Sequence, residues 1–266
     1  MTAAKVIALE YHDVVADGAF DESGFTGRAA ASYKLSVDNF AAHLSVLTAP
    51  GIPVRSAAHP VTDLAVGGVM LTFDDGGASA FTHIAPLLEE RGLSGAFFVT
   101  TDHIDTRGFL TRTQITELHR RGHVIGSHSC SHPTRMAECS ASELQHEWGD
   151  SVARLSDVIG GAVTTASVPG GYYSRDVGEA AAAAGVTLLF TSEPSTRVTR
   201  CGDGRCIVLG RYTLRQADSA QRVAALVGAS PLTRRAEWLK WNSKKVAKAL
   251  GGRAYLRLRE AVFREP

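Results

Sequence analysis

The sequence predicts an α/β protein in which a parallel sheet is covered by helices. Three observations carry that reading. Short apolar runs alternate with amphipathic stretches along most of the chain, as parallel strands and their crossover helices require. The 266 residues, 44% hydrophobic, suffice for one large core, and α/β barrels commonly use this length as a single domain. The apolar run Val69 to Phe73 ends in adjacent carboxylates, Asp74 and Asp75, followed by Gly76 and Gly77, the pattern of a strand that delivers its last side chains into a loop. Barrel enzymes keep their chemistry at that end of their strands.

Lys5 to Tyr11 reads as the first strand and ends in Tyr11-His12-Asp13. Asp13 to Ser36 is long for a connection, which fits a binding loop and fits mobile surface equally well. Ser36 is the expected N-cap of a helix through Phe40, Leu44 and Leu47 that stops before Pro50-Gly51. After Asp75, the spacing of Phe81, Ile84, Leu87 and Leu88 predicts a helix closed by Gly92, and Gly95 to Val99 the next strand. Thr113 is expected to cap a helix carrying Ile115 and Leu118 and ending at Gly122, with Val124-Ile125 as a short strand beyond it. Ser142 is expected to start the helix of Leu144, Trp148, Val152, Leu155 and Ile159, a stripe that reads as core. Thr165 to Val168, Val186 to Thr191 and Ile207 to Leu209 read as strands, with helices over Arg175 to Ala184 and Ser219 to Val227.

Two adjacent carboxylates repel one another, and a cation lets both stay ionised, one as ligand and the other free to act as a base. Partners for a cation appear at His128-Ser129-Cys130-Ser131-His132, where Pro133 prevents easy extension of a helix and leaves the imidazoles on a loop or single turn. One carboxylate and two histidines make a three-ligand site with open positions. The same donor set serves non-haem iron oxygenases, whose acid normally lies within three residues of the first histidine; here it lies far upstream beside a second Asp, which disfavours that chemistry.

At these residues the chain resembles the polysaccharide deacetylase family, metal-dependent carbohydrate esterases that include chitin and peptidoglycan deacetylases. Thr72-Phe73-Asp74-Asp75-Gly76 is similar to the first family motif, whose first Asp is the catalytic base and whose second binds the metal. His128-Ser129-Cys130-Ser131-His132 is similar to the second, in which both histidines are ligands. The resemblance implies a distorted (β/α) barrel with outer helices, a divalent metal, zinc by expectation, on Asp75, His128 and His132, and Asp74 as base. It implies an acetylated sugar or glycan as substrate, with N-acetyl the usual group and an O-acetyl ester open to the same machinery.

Two departures from the family pattern stand out. The third motif corresponds to Ser167-Val168-Pro169-Gly170-Gly171-Tyr172-Tyr173, so Pro169, Gly170, Gly171 and Tyr172 fit as substrate-binding residues while Ser167 stands where an arginine that orients the base is expected. Arg211, placed just past the Ile207 to Leu209 strand, is the candidate replacement, and an ordinary surface arginine is the alternative. The fifth motif supplies a histidine as general acid, yet no histidine follows His146. The acid is then His12, Asp74 returning its proton, or water, with His12 preferred. The missing arginine and histidine keep a non-catalytic metal- or glycan-binding protein as the second reading.

Charge divides the chain. Residues 231–266 hold ten Lys/Arg against three Asp/Glu, leaving eighteen against twenty-four in residues 1–230. The expected organisation is a barrel over 1–230 and a basic amphipathic helical tail over 231–266, helical from Leu232 to Leu250, with Trp238 and Trp241 among its lysines and arginines. Such a helix lies on an anionic membrane surface or packs its apolar stripe on the barrel. Nucleic acid is not an expected partner, because no recognisable binding fold accompanies the charge. Met1 to Glu10 lacks the basic and apolar segments of an export signal and no run is long enough to span a membrane, so a cytoplasmic location is expected. The four cysteines make no disulfide framework, and Cys201 and Cys206 are expected as unpaired thiols.

Overall fold

The computed structural model describes residues 5–56, 67–228 and 230–243. Seven strands form its centre: β1 (Val6–Tyr11), β2 (Gly68–Phe73), β3 (Ala96–Val99), β4 (Val124–Ser127), β5 (Thr165–Ser167), β6 (Leu188–Thr191) and β7 (Cys206–Thr213). Each pairs in parallel with the next, and β7 returns to β1 with Arg211 opposite Ala8, so the sheet closes into the expected barrel. Closure leaves none of the seven as an unpaired edge. Helices Val37–Leu47, Ala85–Glu89, Arg112–Arg120, Ala141–Ile159, Arg175–Ala183 and Ala220–Val227 cover the outside.

The period-2 alternation of the strands builds two apolar layers. Val6, Ala8, Met70, Ala96, Phe98, Leu188, Phe190, Ile207 and Leu209 fill the barrel interior. Ile7, Leu9, Leu71, Phe73, Phe97, Leu189 and Val208 face outward and pack with helix residues such as Phe40, Leu44, Trp148 and Leu155. Each large apolar side chain buried in this way contributes about 1.5–3 kcal/mol relative to exposure. Followed toward the C-terminal ends of the strands, the inward parity continues into Glu10 on β1, Thr72 on β2, Ser167 on β5 and Arg211 on β7, all buried. The barrel is therefore apolar at its base and polar at its mouth.

Several boundaries differ from expectation. Thr111, not Thr113, caps its helix, because Gln114 completes a reciprocal capping box; Ser140, not Ser142, does the same with Glu143. β7 continues through Thr213, so Arg211 lies inside the strand instead of past it. The strand Val198–Cys201, absent from the sequence reading, runs antiparallel to β7 and sets Cys201 opposite Cys206, both free and buried. The segment Asp13 to Ser36 is shaped by pairing of Val14–Val15 with Leu35–Ser36 and by a helical turn at Arg28–Ala31.

Residues 232–243 are helical, while Lys244, Lys245, Lys248 and the rest of the expected tail helix lie outside the described residues. Arg234 donates to the carbonyls of Leu226 (2.5 Å) and Gly228 (2.7 Å) at the end of helix Ala220–Val227, and Arg222 pairs with Glu237 at 3.1 Å. The described start of the tail thus docks on the barrel's last helix. Among the described residues no helix is long and apolar enough to cross a membrane.

Candidate metal centre

β2 delivers Asp74 and Asp75 to the barrel mouth. Asp74 is buried, and the guanidinium of Arg211 grips it with two prongs, Nη1 to Oδ1 and Nη2 to Oδ2, each 2.7 Å. The hydroxyl of Ser167 donates to Oδ2 at 3.1 Å. Arg211 itself is fully buried and held from every side: it donates to Glu10 Oε1 (3.1 Å), Thr72 Oγ1 (3.2 Å), Ser167 Oγ (2.7 Å) and the Thr191 carbonyl (3.4 Å). Burial alone would raise the Asp74 carboxyl's pKa, but the Arg211 charge, with His128 and His12 nearby, holds it well below the usual carboxylate range.

Asp75 takes a left-handed backbone, φ 74°, a conformation non-glycine residues rarely adopt. Gly77 two residues on leaves room that no side chain could share: a Cβ there would lie 2.0 Å from Oδ1 of the buried Asp13. Asp13 was not singled out by the sequence, yet its Oδ1 accepts from the hydroxyls of Ser23 (2.6 Å) and Ser79 (2.7 Å) and ties the loop after β1 to the loop after β2.

The two histidines follow β4 on a tight loop. Ser129 and His132 are left-handed, φ 66° and 59°, a conformation non-glycine residues rarely adopt and which surrounding bonds must enforce. Glu147, from helix Ala141–Ile159, supplies them: its Oε2 accepts the main-chain N–H groups of Cys130 (2.8 Å) and Ser131 (2.9 Å), and its Oε1 the Ser131 hydroxyl (2.6 Å). His128 Nδ1 meets the Ser167 carbonyl at 3.0 Å, a bond in which Nδ1 carries the hydrogen and Nε2 is turned toward the carboxylates.

His128 Nε2 lies 3.4 Å and His132 Nε2 3.5 Å from the same oxygen, Asp75 Oδ1, and His128 Nε2 is 3.9 Å from Asp74 Oδ2. Ligand atoms of a tetrahedral zinc stand about 3.3–3.6 Å apart, so Asp75, His128 and His132 fit such an ion. A second group, Glu10, His12 and Asp74, also brings its donor atoms within 4.8 Å of one another, but Arg211 already occupies Glu10 Oε1 and both oxygens of Asp74. Burial raises the Asp75 carboxyl, and the His128 bond with the positive fields of His12 and His132 outweighs it, leaving a pKa of about 2. Burial followed by the neighbouring His128 charge brings His132 down to about 4. For His128, burial opposes protonation, but the two carboxylates outweigh it and raise the imidazole.

The remaining predicted residues gather at the same mouth. His12 packs its ring against Tyr33 at 4.8 Å, and its Nδ1 is buried without a hydrogen-bond partner. Pro169 to Gly171 form a tight turn after β5; Gly170, φ 63°, leaves no room for a side chain, since a Cβ would come within 2.9 Å of the Thr134 carbonyl. Arg135 lies over the Tyr172 ring at 5.5 Å.

A closed parallel barrel with this carboxylate–imidazole cluster at its mouth defines a barrel of the deacetylase type. Residues 63–189, just under half of the chain, match the family described as polysaccharide deacetylase. A Bacillus subtilis protein named as a candidate polysaccharide deacetylase is 28% identical over 126 residues, 47% of this chain and 45% of that protein, so the match spans less than half of the relative's length. Among solved structures, a Bacillus cereus polysaccharide deacetylase superposes with TM-score 0.72 at 18% identity, over 85% of this chain and 70% of that one. The Streptococcus pyogenes deacetylase PplD, solved with acetate, superposes with TM-score 0.69 at 18% identity, over 85% and 100%. At these identities the superpositions establish a shared fold.

Proposed function

We propose that the protein is a metal-dependent hydrolase that removes an acetyl group from an N-acetylated sugar or glycan. The observation that carries this reading is Asp74, held ionised by the Arg211 fork 3.9 Å from the imidazole of His128 at the edge of the three-donor cluster. A base needs that combination of fixed orientation and charge next to the site where water is activated. Arg211 also answers the absence of the third-motif arginine, reaching the base from β7 while Ser167 fills the vacated position.

Asp75, His128 and His132 would hold the ion, zinc by the character of the donors. A divalent cation supplies Lewis acidity toward water and the acetyl carbonyl. Asp74 takes a proton from the attacking water, and His12, whose ring nitrogen lies within reach of the Asp74 carboxylate, delivers one to the departing nitrogen, so that amide and water become acetate and free amine. The Pro169–Gly171 turn and Tyr172 wall the mouth on the β5 side.

Acetate release from N-acetylated amino-sugar oligomers, followed with zinc supplied, tests the proposal. Asp74→Asn is expected to abolish release and His12→Gln to lower it. Full turnover by Asp74→Asn would overturn the assignment. A zinc-loaded protein that bound glycan and released acetate from no acylated sugar would instead be the non-catalytic binder.

A further inference from the structure

The two histidines of the metal centre are oriented by different means. His128 has the Ser167 carbonyl on Nδ1. Among the described residues, no hydrogen bond holds the His132 imidazole; besides the carboxylate of Asp75 and the ring of His128, it meets the ring of Phe25, centroids 5.0 Å apart. Ligating histidines ordinarily depend on a partner on their far side to fix the ring, and loss of that partner weakens metal binding. For His132 the neighbour available to do this is the Phe25 ring, tilted 51° to the imidazole.

Phe25 belongs to the segment between β1 and helix Val37–Leu47, and the segment is fastened where Phe25 lies. Lys34 is buried, and its ammonium donates to three main-chain carbonyls of that segment, Phe20 (2.5 Å), Ser23 (2.6 Å) and Phe25 (2.5 Å). An ammonium has three N–H donors and no acceptor, so this cage satisfies it completely. Ser23 Oγ donates to Asp13 and accepts from the Ser79 N–H at 2.8 Å, and the Gly24 N–H meets the Gly108 carbonyl at 2.7 Å. The Phe25 ring also meets His103 (5.0 Å) and Phe109 (5.2 Å) edge-on, and these two stack on one another at 4.5 Å. A loop secured this thoroughly acts as a wall.

We propose that Phe25, pinned by Lys34, is the positioning residue for His132, replacing with an aromatic contact the hydrogen bond that His128 has and His132 lacks. The inference rests on the metal-site reading above, and its test reads metal and not turnover.

Full-length protein stripped of metal is titrated with Zn2+ against a competing chelator, and with Co2+ while the visible absorption of the bound ion is recorded. Phe25→Ala is expected to weaken zinc by roughly 10–100-fold, the range for removing such a partner, and to alter the Co2+ spectrum, whereas Phe25→Tyr retains both. Lys34→Met is expected to give the same weakening by releasing the loop, with the double variant no weaker than either single one, because both act through one contact. Circular dichroism and melting of the stripped proteins separate a folding failure from a lost contact, and Phe25→Tyr keeps the comparison available if Phe25→Ala does not fold. Unchanged affinity and spectrum in folded Phe25→Ala overturns the inference alone. Wild-type protein that takes up neither ion overturns the metal-site reading and the inference with it.

Discussion

Arg211 and Asp74, 137 residues apart, meet as a buried fork-to-fork pair with both N–O distances at 2.7 Å. β7 returns beside β1, and the inward parity that puts Ile207 and Leu209 in the apolar floor brings Arg211 up one layer higher, between Glu10 and Asp74. Arg211 does two things at once: it sets one positive charge against the buried carboxylates of Glu10 and Asp74, and it fixes the rotamer of the proposed base.

Arg211→Lys keeps the charge but presents a point donor that cannot bridge both oxygens. Acetate release is expected to fall on the order of 100-fold, as misplacement of a catalytic group by about 1 Å does. Arg211→Ala leaves Glu10 and Asp74 as uncompensated buried charges, and removing one partner of a buried pair costs about 3–5 kcal/mol, so denaturant unfolding shifts to markedly lower concentration. Near wild-type turnover by Arg211→Lys would show that the base needs only the charge.

The imidazoles divide the pH response of the candidate metal centre. His128 has its pKa raised above the ordinary value of about 6.5 by Asp74 and Asp75, against the effect of burial, while His132, at about 4, is neutral throughout the neutral range. In the metal-free protein the His128 contribution to stability is fully present below about pH 6.5 and is lost as pH rises through the folded pKa. A metal requires the neutral ring, so its affinity moves the opposite way and rises over the same window. Calorimetric titration near pH 7 in buffers of different ionisation enthalpy is expected to report release of up to about one proton per ion, declining toward higher pH. Binding heats independent of buffer would remove His128 as the titrating ligand.

The local parts of this site were legible in the sequence because each is a contiguous motif. Asp74 and Asp75 end an apolar run, the His128–His132 loop is five residues long, and Pro169 to Tyr172 is a turn signature. Arg211 is signalled in the sequence as a substitute for the arginine missing at Ser167, and the alternation of Ile207 and Leu209, extended by one step, places it on the same inward face. Glu10 carries the same signal on β1, two residues beyond Ala8. Asp13, Lys34, Phe25 and Glu147 had no such signal. Their roles arise where loops from different strands meet, and a lysine or glutamate in a stretch of polar residues reads as surface until its main-chain partners are known. Thr113 and Ser142 are the hydroxyls nearest the apolar stripes, but they lie inside their helices; the caps are Thr111 and Ser140, which have Gln or Glu three residues later.

Glu147 gives a test of how far the histidine loop depends on a residue outside the motifs. It accepts two main-chain N–H groups and one hydroxyl from Cys130 and Ser131, between the two proposed ligands. Glu147→Ala strands the N–H of the buried Cys130, at about 1–3 kcal/mol for a buried group left unpaired, and removes what enforces the left-handed Ser129 and His132. Zinc affinity is expected to fall together with stability, while Glu147→Gln, which keeps two acceptor lone pairs on its carbonyl oxygen, loses less of both. Unaltered zinc binding in Glu147→Ala would mean the loop holds its shape without this carboxylate.

The start of the tail bears on the site through Trp241. A Cβ on Gly171, in the turn after β5, would lie 3.2 Å from the Trp241 ring and 3.2 Å from Ser192 Cβ, and Ser192 Oγ donates to Glu10 Oε1 at 2.9 Å, one bond from Arg211. With Arg234 anchoring the same helical segment on the Leu226 and Gly228 carbonyls, residues 232–243 act as a buttress for the Pro169–Gly171 turn. Trp241→Ala is expected to destabilise the protein by on the order of 2 kcal/mol, below the value for a fully buried aromatic because the ring is only partly covered. It is also expected to raise KM for an acetylated oligomer more than it lowers kcat, since the turn lies at the wall and not at the base. Ending the chain at Ser230 removes ring and anchor together and should reproduce both effects. If that shortened protein melts and turns over as the full chain does, yet loses sedimentation with anionic vesicles, the tail's work is at a lipid surface and the buttress is incidental.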